Sequence, residues 1–194
     1  MKKRPPSYET QELREFEEVL RGRRTINLFL QTPVPDKLVH DALEVATWAP
    51  NHHVTEPWRF ILPGEQTVQK ILDLCQVIAA EKKGDELALH KRESWAEKPG
   101  WLVVTCERSV DELRQQEDYA ACCAAAQNFM LYLWKAGVGS KWTTGAITRD
   151  LRFFDIIGVD QSQAFVVGLF WFGYPKLTPG QARKELSSVL RRLP

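Results

Sequence analysis

Apolar residues along this chain recur first at helical and then at strand spacing. From Glu9 to Leu20 the positions Leu13, Phe16, Val19 and Leu20 repeat at three to four residues, which predicts an amphipathic helix ended by Gly22. Pro35 and Asp36 suit the first turn of a second helix, with Leu38, Ala42, Leu43, Val45 and Ala46 as its stripe. Trp58 to Leu62 is a short apolar strand stopped by Pro63-Gly64, and a third helix is predicted from Glu65 to Ala80. The stretch 81–98 is charged and weakly patterned, either an exposed helix or a mobile excursion. Trp101-Leu-Val-Val-Thr-Cys106 and Ala164 to Phe172 are unbroken apolar runs of strand length, so both should lie centrally with both faces covered. Between them the longest helix is predicted from Asp111 to Ala136, closed by Gly137. Its small residues Ala120, Ala121, Ala124, Ala125 and Ala126 permit close approach from several sides. A strand at Val138–Trp142, a short helix at Arg149–Ile157 and a polar tail from Thr178 complete the pattern.

Helices crowd between the first two strands, which argues for an α+β layer with helices packed on a small sheet. No internal repeat, linker or low-complexity stretch divides residues 1–194, so one domain is expected, with residues 1–8 a flexible lead-in. Composition changes this picture little: 44% apolar and 26% charged residues are those of an ordinary globule. The charges do exclude some classes. With 26 basic and 25 acidic residues there is no reason to expect attraction to nucleic acid or a membrane surface. No apolar run is long enough to cross a bilayer. Cys75, Cys106, Cys122 and Cys123 form no C-x-x-C pair and read as free thiols, for which the cytoplasm is the expected compartment.

Candidate chemistry concentrates in polar segments. Trp48-Ala-Pro-Asn-His-His-Val-Thr-Glu-Pro-Trp-Arg-Phe60 crowds Asn51, His52, His53, Thr55 and Glu56 between two prolines, each expected to hold the residue before it extended. A stiff polar loop on a scaffold is a usual place for binding residues. Arg23-Arg24-Thr25 can form a forked anion site, against the plainer reading of a solvated basic turn. Lys141-Trp142-Thr143-Thr144-Gly145 could grip a planar heterocycle, although tryptophan and threonine are also ordinary strand residues. Gln181-Ala-Arg183-Lys184 offers another cationic pair, which is more often plain surface. Adjacent histidines usually diverge and no spacing resembles a zinc site, so no metal is expected. Phosphate-loop, Rossmann and serine-nucleophile signatures are absent.

Taken in order, these segments resemble the nitroreductase family of FMN-dependent oxidoreductases. Residues 48–60 look like its "A/S-P-S-x-x-N-x-Q-P-W-x-F" loop and strand, and their wording is closest to the small branch with Ala-Pro-Asp/Asn-His at its centre. Gly139–Gly145 falls where that family has its second flavin-edge strand, and Arg183-Lys-Glu-Leu-Ser-Ser-Val189 is similar to its terminal "R-K-P-L-x-x-V". The resemblance covers about residues 9–190. It implies an α+β homodimer with a mostly antiparallel sheet wrapped by helices and FMN at the subunit interface. It implies Arg23, Thr25 and Arg183 at the phosphate and ribityl end, with Arg24 alongside. Asn51 and His52 would reach the flavin held mainly by the other subunit, and Trp142, Thr143 and Thr144 would lie along the ring edge. NAD(P)H would reduce the flavin, and a nitroaromatic, quinone or related small acceptor would reoxidise it in ping-pong fashion. Residues 81–98, with His90 and Trp95, would form a lid. The rival readings are an FMN-binding carrier or interaction protein with little turnover, and a structural dimer that binds no flavin. The chain departs from the family pattern at Asn27, where many relatives carry a lysine near the flavin pyrimidine, and at Val54 and Glu56. A neutral amide at residue 27 would stabilise anionic reduced flavin less than an ammonium does.

Overall fold

A computed structural model describes residues 10–194; the expected flexible lead-in lies outside the described residues. Helix α1 (Gln11–Gly22) begins where Thr10 Oγ1 accepts the Leu13 N–H, a side-chain cap that satisfies one of the free first-turn donors. No residue of α1 is buried, and Phe16 keeps 57% of its surface exposed. Helix α2 (Asp36–Ala46) starts behind Pro35 and buries Val39, Ala42 and Ala46, close to the predicted stripe.

Four antiparallel strands form one sheet in the order β1-β2-β4-β3: β1 Trp58–Ile61, β2 Gly100–Glu107, β3 Gly139–Thr143 and β4 Ala164–Gly173. The two continuous apolar runs are the two inner strands. A register shift between Val104 and Thr105 bends β2 against β4. Alternation along the strands then divides the core. Leu102, Val104, Phe170 and Phe172 face the long helix α5 (Glu112–Lys135) and α2. Trp101, Val103, Leu169 and Trp171 face α3 (Glu65–Lys83) and the short α6 (Leu151–Ile157).

Helix α5 is capped by Asp111, whose carboxylate accepts the Arg114 N–H, and it ends at Gly137, where φ is +80°. It buries Ala121, Cys122, Ala125, Ala126, Phe129, Met130 and Leu133, so the helix expected to be central is central. The charged stretch 81–98 resolves into the end of α3 and an ordered helix α4 (Asp85–Ala96). Arg92 ties α4 to Asp73 of α3 at 3.0 Å. Trp95 packs edge-on against Trp101 and Trp171, with ring centroids 6.1 and 4.7 Å away. The mobile-excursion alternative therefore falls, because α4 has an aromatic anchor that its sequence pattern alone does not reveal.

After α1 the chain runs along the free edge of β3. Thr25 bridges Ser140, the Ile26 N–H donates to the Ser140 carbonyl at 3.0 Å, and Phe29 bridges Pro175. Gly139 makes room for this ribbon, since a Cβ there would meet Ile26 Cγ1 at 2.4 Å.

Candidate cofactor site

Arg23, Arg24 and Thr25 sit where α1 hands over to the edge ribbon. Arg24 curls back on the helix end, its Nη1 donating to the carbonyls of Arg21, Gly22 and Arg23 at 2.6, 3.0 and 2.9 Å. It thereby satisfies carbonyls that α1 leaves open and holds a positive charge at the negative end of the helix dipole. Arg23 has no such duty. Burial pushes its pKa down, and the fields of Arg183 and then Arg24 add to that push. The field of Arg183, from a distant segment, thus reaches Arg23 beside Arg24, and among the described residues none of the three makes an ion pair. Concentrated, uncompensated guanidinium charge is suited to an anion with several acceptor oxygens.

Four residues further along, Asn27 collects two more cations. Its carbonyl accepts from Lys98 Nζ at 3.0 Å and its side-chain oxygen from Lys141 Nζ at 2.7 Å. Lys98 precedes Pro99 at the mouth of β2 and is only 8% exposed, which is rare for lysine. Desolvation lowers its pKa, Glu97 partly opposes this, and Lys141 lowers it further. Sequence reading named Lys141 only as the start of its segment, without a role of its own, and missed Lys98. Their common partner lies 71 and 114 residues away in the chain, so no local pattern could announce them.

The residues at the end of β3 divide between the two faces. Lys141 pairs with Trp171 across the sheet, and Thr143 pairs with Leu169 on that same face. Trp142 turns to the α5 side, where its indole N–H donates to the Val167 carbonyl at 3.1 Å and its ring packs 5.1 Å from Phe170. Its indole hydrogen is therefore spent inside the protein. Thr144 and Gly145 are exposed beyond the strand.

The loop 48–60 is built differently from its sequence expectation. Glu56 precedes Pro57 yet has φ of +46°, and His53 and Val54 have φ of 61° and 52°. The extended conformation expected before Pro57 is overridden because Asn51 Oδ1 accepts the Glu56 N–H at 2.6 Å. Asn51 Nδ2 donates to Thr55 Oγ1 at 3.0 Å, and Thr55 donates in turn to buried Asp118 on α5. Asn51 is thus the organiser of the loop. His53, thrown into the left-handed region, lies back on His52 with ring centroids 3.9 Å apart instead of diverging from it. Ligand atoms of His52, His53 and Glu117 lie within 4.8 Å of one another at the surface, with no buried group supporting them.

His52 lines a cleft with Glu117, Ala120, Ala121 and Ala124 of α5, whereas Gly22 lies against Trp134 near the other end of that helix. Thirteen or so residues of α5 separate the two places, about 20 Å at 1.5 Å per residue. Within one subunit Asn51 and His52 are therefore not brought to the arginine cluster. All four cysteines are free; burial pushes the thiols of Cys75 and Cys123 up, and hydrogen bonding to Cys106, followed by burial, drives that of Cys122 far up, so none of these three is an activated thiol.

This sheet order, with helices on both faces and a cationic ribbon along its edge, defines an α+β scaffold with a site at its open edge. The model of the "Nitroreductase family" matches residues 20–174, and the chain belongs to the nitroreductase family. It is 32% identical to YfhC of Bacillus subtilis (strain 168), assigned by name as an NAD(P)H nitroreductase, over 84% of this chain and 85% of that protein. A nitroreductase-like family protein from Bacillus cereus superposes with a TM-score of 0.81 at 29% identity, over 98% and 99% of the two chains. The FMN-dependent nitroreductase NfnB from Mycobacterium smegmatis, solved in complex with NADPH, has the same fold, with a TM-score of 0.78 at 16% identity over 95% and 100%. Among the described residues no helix is long and apolar enough to cross a membrane.

Proposed function

We propose that this single-domain protein binds FMN on the edge ribbon and works as an NAD(P)H-dependent oxidoreductase toward small aromatic or quinone-type acceptors. The observation that carries the reading is the arginine trio Arg23, Arg24 and Arg183, which has no carboxylate partner among the described residues. A phosphate monoester carries nearly two negative charges and three acceptor oxygens, so the trio suits it in both charge and geometry. Thr25 and Asn27 follow on the ribbon toward the ring, and Thr143 and Thr144 border it from β3. Bound there, FMN supplies two-electron chemistry between a nicotinamide donor and an acceptor. The protein residues position it and exclude water, and none is assigned as an acid or base.

The placement of Asn51 and His52 supports a homodimer. They lie about 20 Å along α5 from the arginines, so they reach a flavin only if a second subunit presents its own arginine end to them. Two antiparallel copies of α5 related by a two-fold axis do this at both ends at once. The uncovered face of α1, with Phe16 at 57% and Trp48 at 82% exposure, belongs to an apolar groove between α1, α2 and α5 that such a partner would cover. YfhC's name and NfnB's bound NADPH are in keeping with this activity. Trp95 is fixed among aromatic rings, so within 81–98 the lid role narrows to the exposed face of α4 around His90 and Lys91.

The test is an absorption spectrum of the purified protein, before and after anaerobic NADPH or NADH. Flavin bands that bleach with NAD(P)H and return on adding a quinone support the reading. A protein that stays colourless after incubation with FMN refutes it, and one that is yellow but not bleached is a carrier.

A further inference from the structure

We propose that His52, His53 and Glu117 form a three-ligand site for a divalent transition-metal ion of the zinc class, which staples the loop after Asn51 to α5. The inference goes beyond the flavin reading, needs neither cofactor nor second subunit, and shares only His52 with it. One donor atom of each residue lies within 4.8 Å of those of the other two. Donors about 2.1 Å from a tetrahedral ion stand about 3.4 Å apart, so side-chain movements of about 1 Å close the set. Two imidazoles and one carboxylate are donors that zinc, nickel and copper favour and that magnesium and calcium do not.

Nothing else claims these side chains. Among the described residues Glu117 makes no ion pair, and His52 enters the hydrogen-bond network through its backbone carbonyl, which accepts from Asn51 Nδ2 at 3.3 Å. Neighbouring histidines normally diverge, and the backbone here prevents it. His53 has φ of 61°, which lays its ring 3.9 Å from that of His52 at an interplanar angle of 74°. Val54 follows at φ of 52°, a region that a β-branched residue rarely enters. Strain of this kind persists where the surroundings over-determine it, and it gathers at ligand clamps.

The surroundings do over-determine it. Asn51 holds the Glu56 N–H and Thr55, and Thr55 donates to Asp118, which is 5% exposed and stands next to Glu117 on α5. These bonds fix two backbones, one carrying the histidine pair and the other the carboxylate. Both histidines are exposed and Glu117 is half-buried, so an ion can enter from solvent. Ala120, Ala121 and Ala124 line the cleft beside His52 and Glu117 with methyl groups, which leaves room for water as the fourth ligand.

The experiment is a calorimetric titration of the tag-free purified protein with Zn²⁺, repeated on His53→Asn and Glu117→Gln, with Co²⁺ as a spectroscopic probe. Asparagine tolerates the left-handed region and glutamine keeps the shape of glutamate, so both variants should fold, as circular dichroism checks. Wild type is expected to take one Zn²⁺ per chain with Kd below about 100 µM. Each variant is expected to bind at least about tenfold more weakly, since even an outer partner of a metal ligand is worth about that much. Difference spectra with Co²⁺ should show its visible bands without thiolate charge transfer, which separates this site from the four free cysteines. Zn²⁺ should also slow amide exchange over 52–54 in wild type alone. Weaker binding than that limit, unchanged affinity in either variant, a thiolate band at the first equivalent, or exchange that Zn²⁺ leaves unaltered overturns the proposal. His52→Gln, expected to lose the ion as well, replaces a variant that fails to fold. Flavin content is read separately from its own bands, so failure of this site and failure of the flavin reading are told apart.

Discussion

Gly168 lies under Trp142, and replacing it with alanine tests how the end of β3 is held. An added Cβ would stand 2.1 Å from Trp142 Nε1, 2.5 Å from its Cδ1 and 3.0 Å from Phe170 Cε2. Those atoms belong to rigid, packed rings and not to a flexible chain end, so Trp142 must move by more than an ångström. Overpacking of a core costs about 1–3 kcal/mol. The displaced indole also loses its bond to the Val167 carbonyl, and an unsatisfied buried donor costs about 1–3 kcal/mol. Together the loss is about 2–6 kcal/mol, against which alanine's slightly better strand propensity is small. For a chain of 194 residues, at about 3 °C per kcal/mol, this corresponds to a fall in Tm of about 6–18 °C. The assay is thermal unfolding by circular dichroism for Gly168→Ala, Trp142→Leu and the double variant. If the clash is the cause, the alanine costs little once the indole has gone, and the double-variant cycle shows coupling. A Tm within about 2 °C of wild type, or the same loss from Gly168→Ala in the Trp142→Leu background, would refute the reasoning.

Three more outcomes are expected. Arg23→Ala removes one of three clustered like charges, so the apo-protein should unfold at an unchanged or slightly higher temperature. Its affinity for FMN, followed by fluorescence, should fall by about 2 kcal/mol, or roughly 30-fold, as for loss of a charged hydrogen-bond partner. Asn51→Ala removes the acceptor of the Glu56 N–H and the donor to Thr55, and should raise amide exchange over 52–56 at a cost of about 1–2 kcal/mol. Global secondary structure by circular dichroism should stay intact. Lys98 has its folded pKa lowered below the ordinary 10.5 by burial, so the unfolded chain binds its proton more readily just below that pH. Stability should therefore rise with pH on the alkaline approach to 10.5 by an increment that Lys98→Met lacks, as measured by urea unfolding of both proteins.

The elements of this protein are written locally. The helices α1 and α2, the unbroken apolar runs of β2 and β4, and the glycine that ends α5 each reflect a rule acting within a few residues and form where the pattern placed them. Even so, α1 buries none of its stripe, and α2 buries Val39 and exposes Val45. Arg23, Arg24 and Thr25 could be picked out for the same reason, since a dense donor cluster is visible in three letters. The loop at 48–60 was legible as a stiff polar segment but not as a shape. Its proline rule failed at Glu56 because a side chain five residues earlier captured the amide.

Tertiary structure alone decided which charges meet. Arg183 joins Arg23 across most of the chain, and Lys98 and Lys141 meet on Asn27 across 71 and 114 residues. These contacts follow from an edge ribbon docking on β3 and from strand order, and composition carries neither. The same holds for α4, whose charged sequence fits an exposed helix or a mobile excursion equally, and which the packing of Trp95 on Trp171 settles as a helix. Periodicity determined the helices and strands because burial acts along each element by itself. The site needed the fold, because charge and shape complementarity act between elements that only packing brings together.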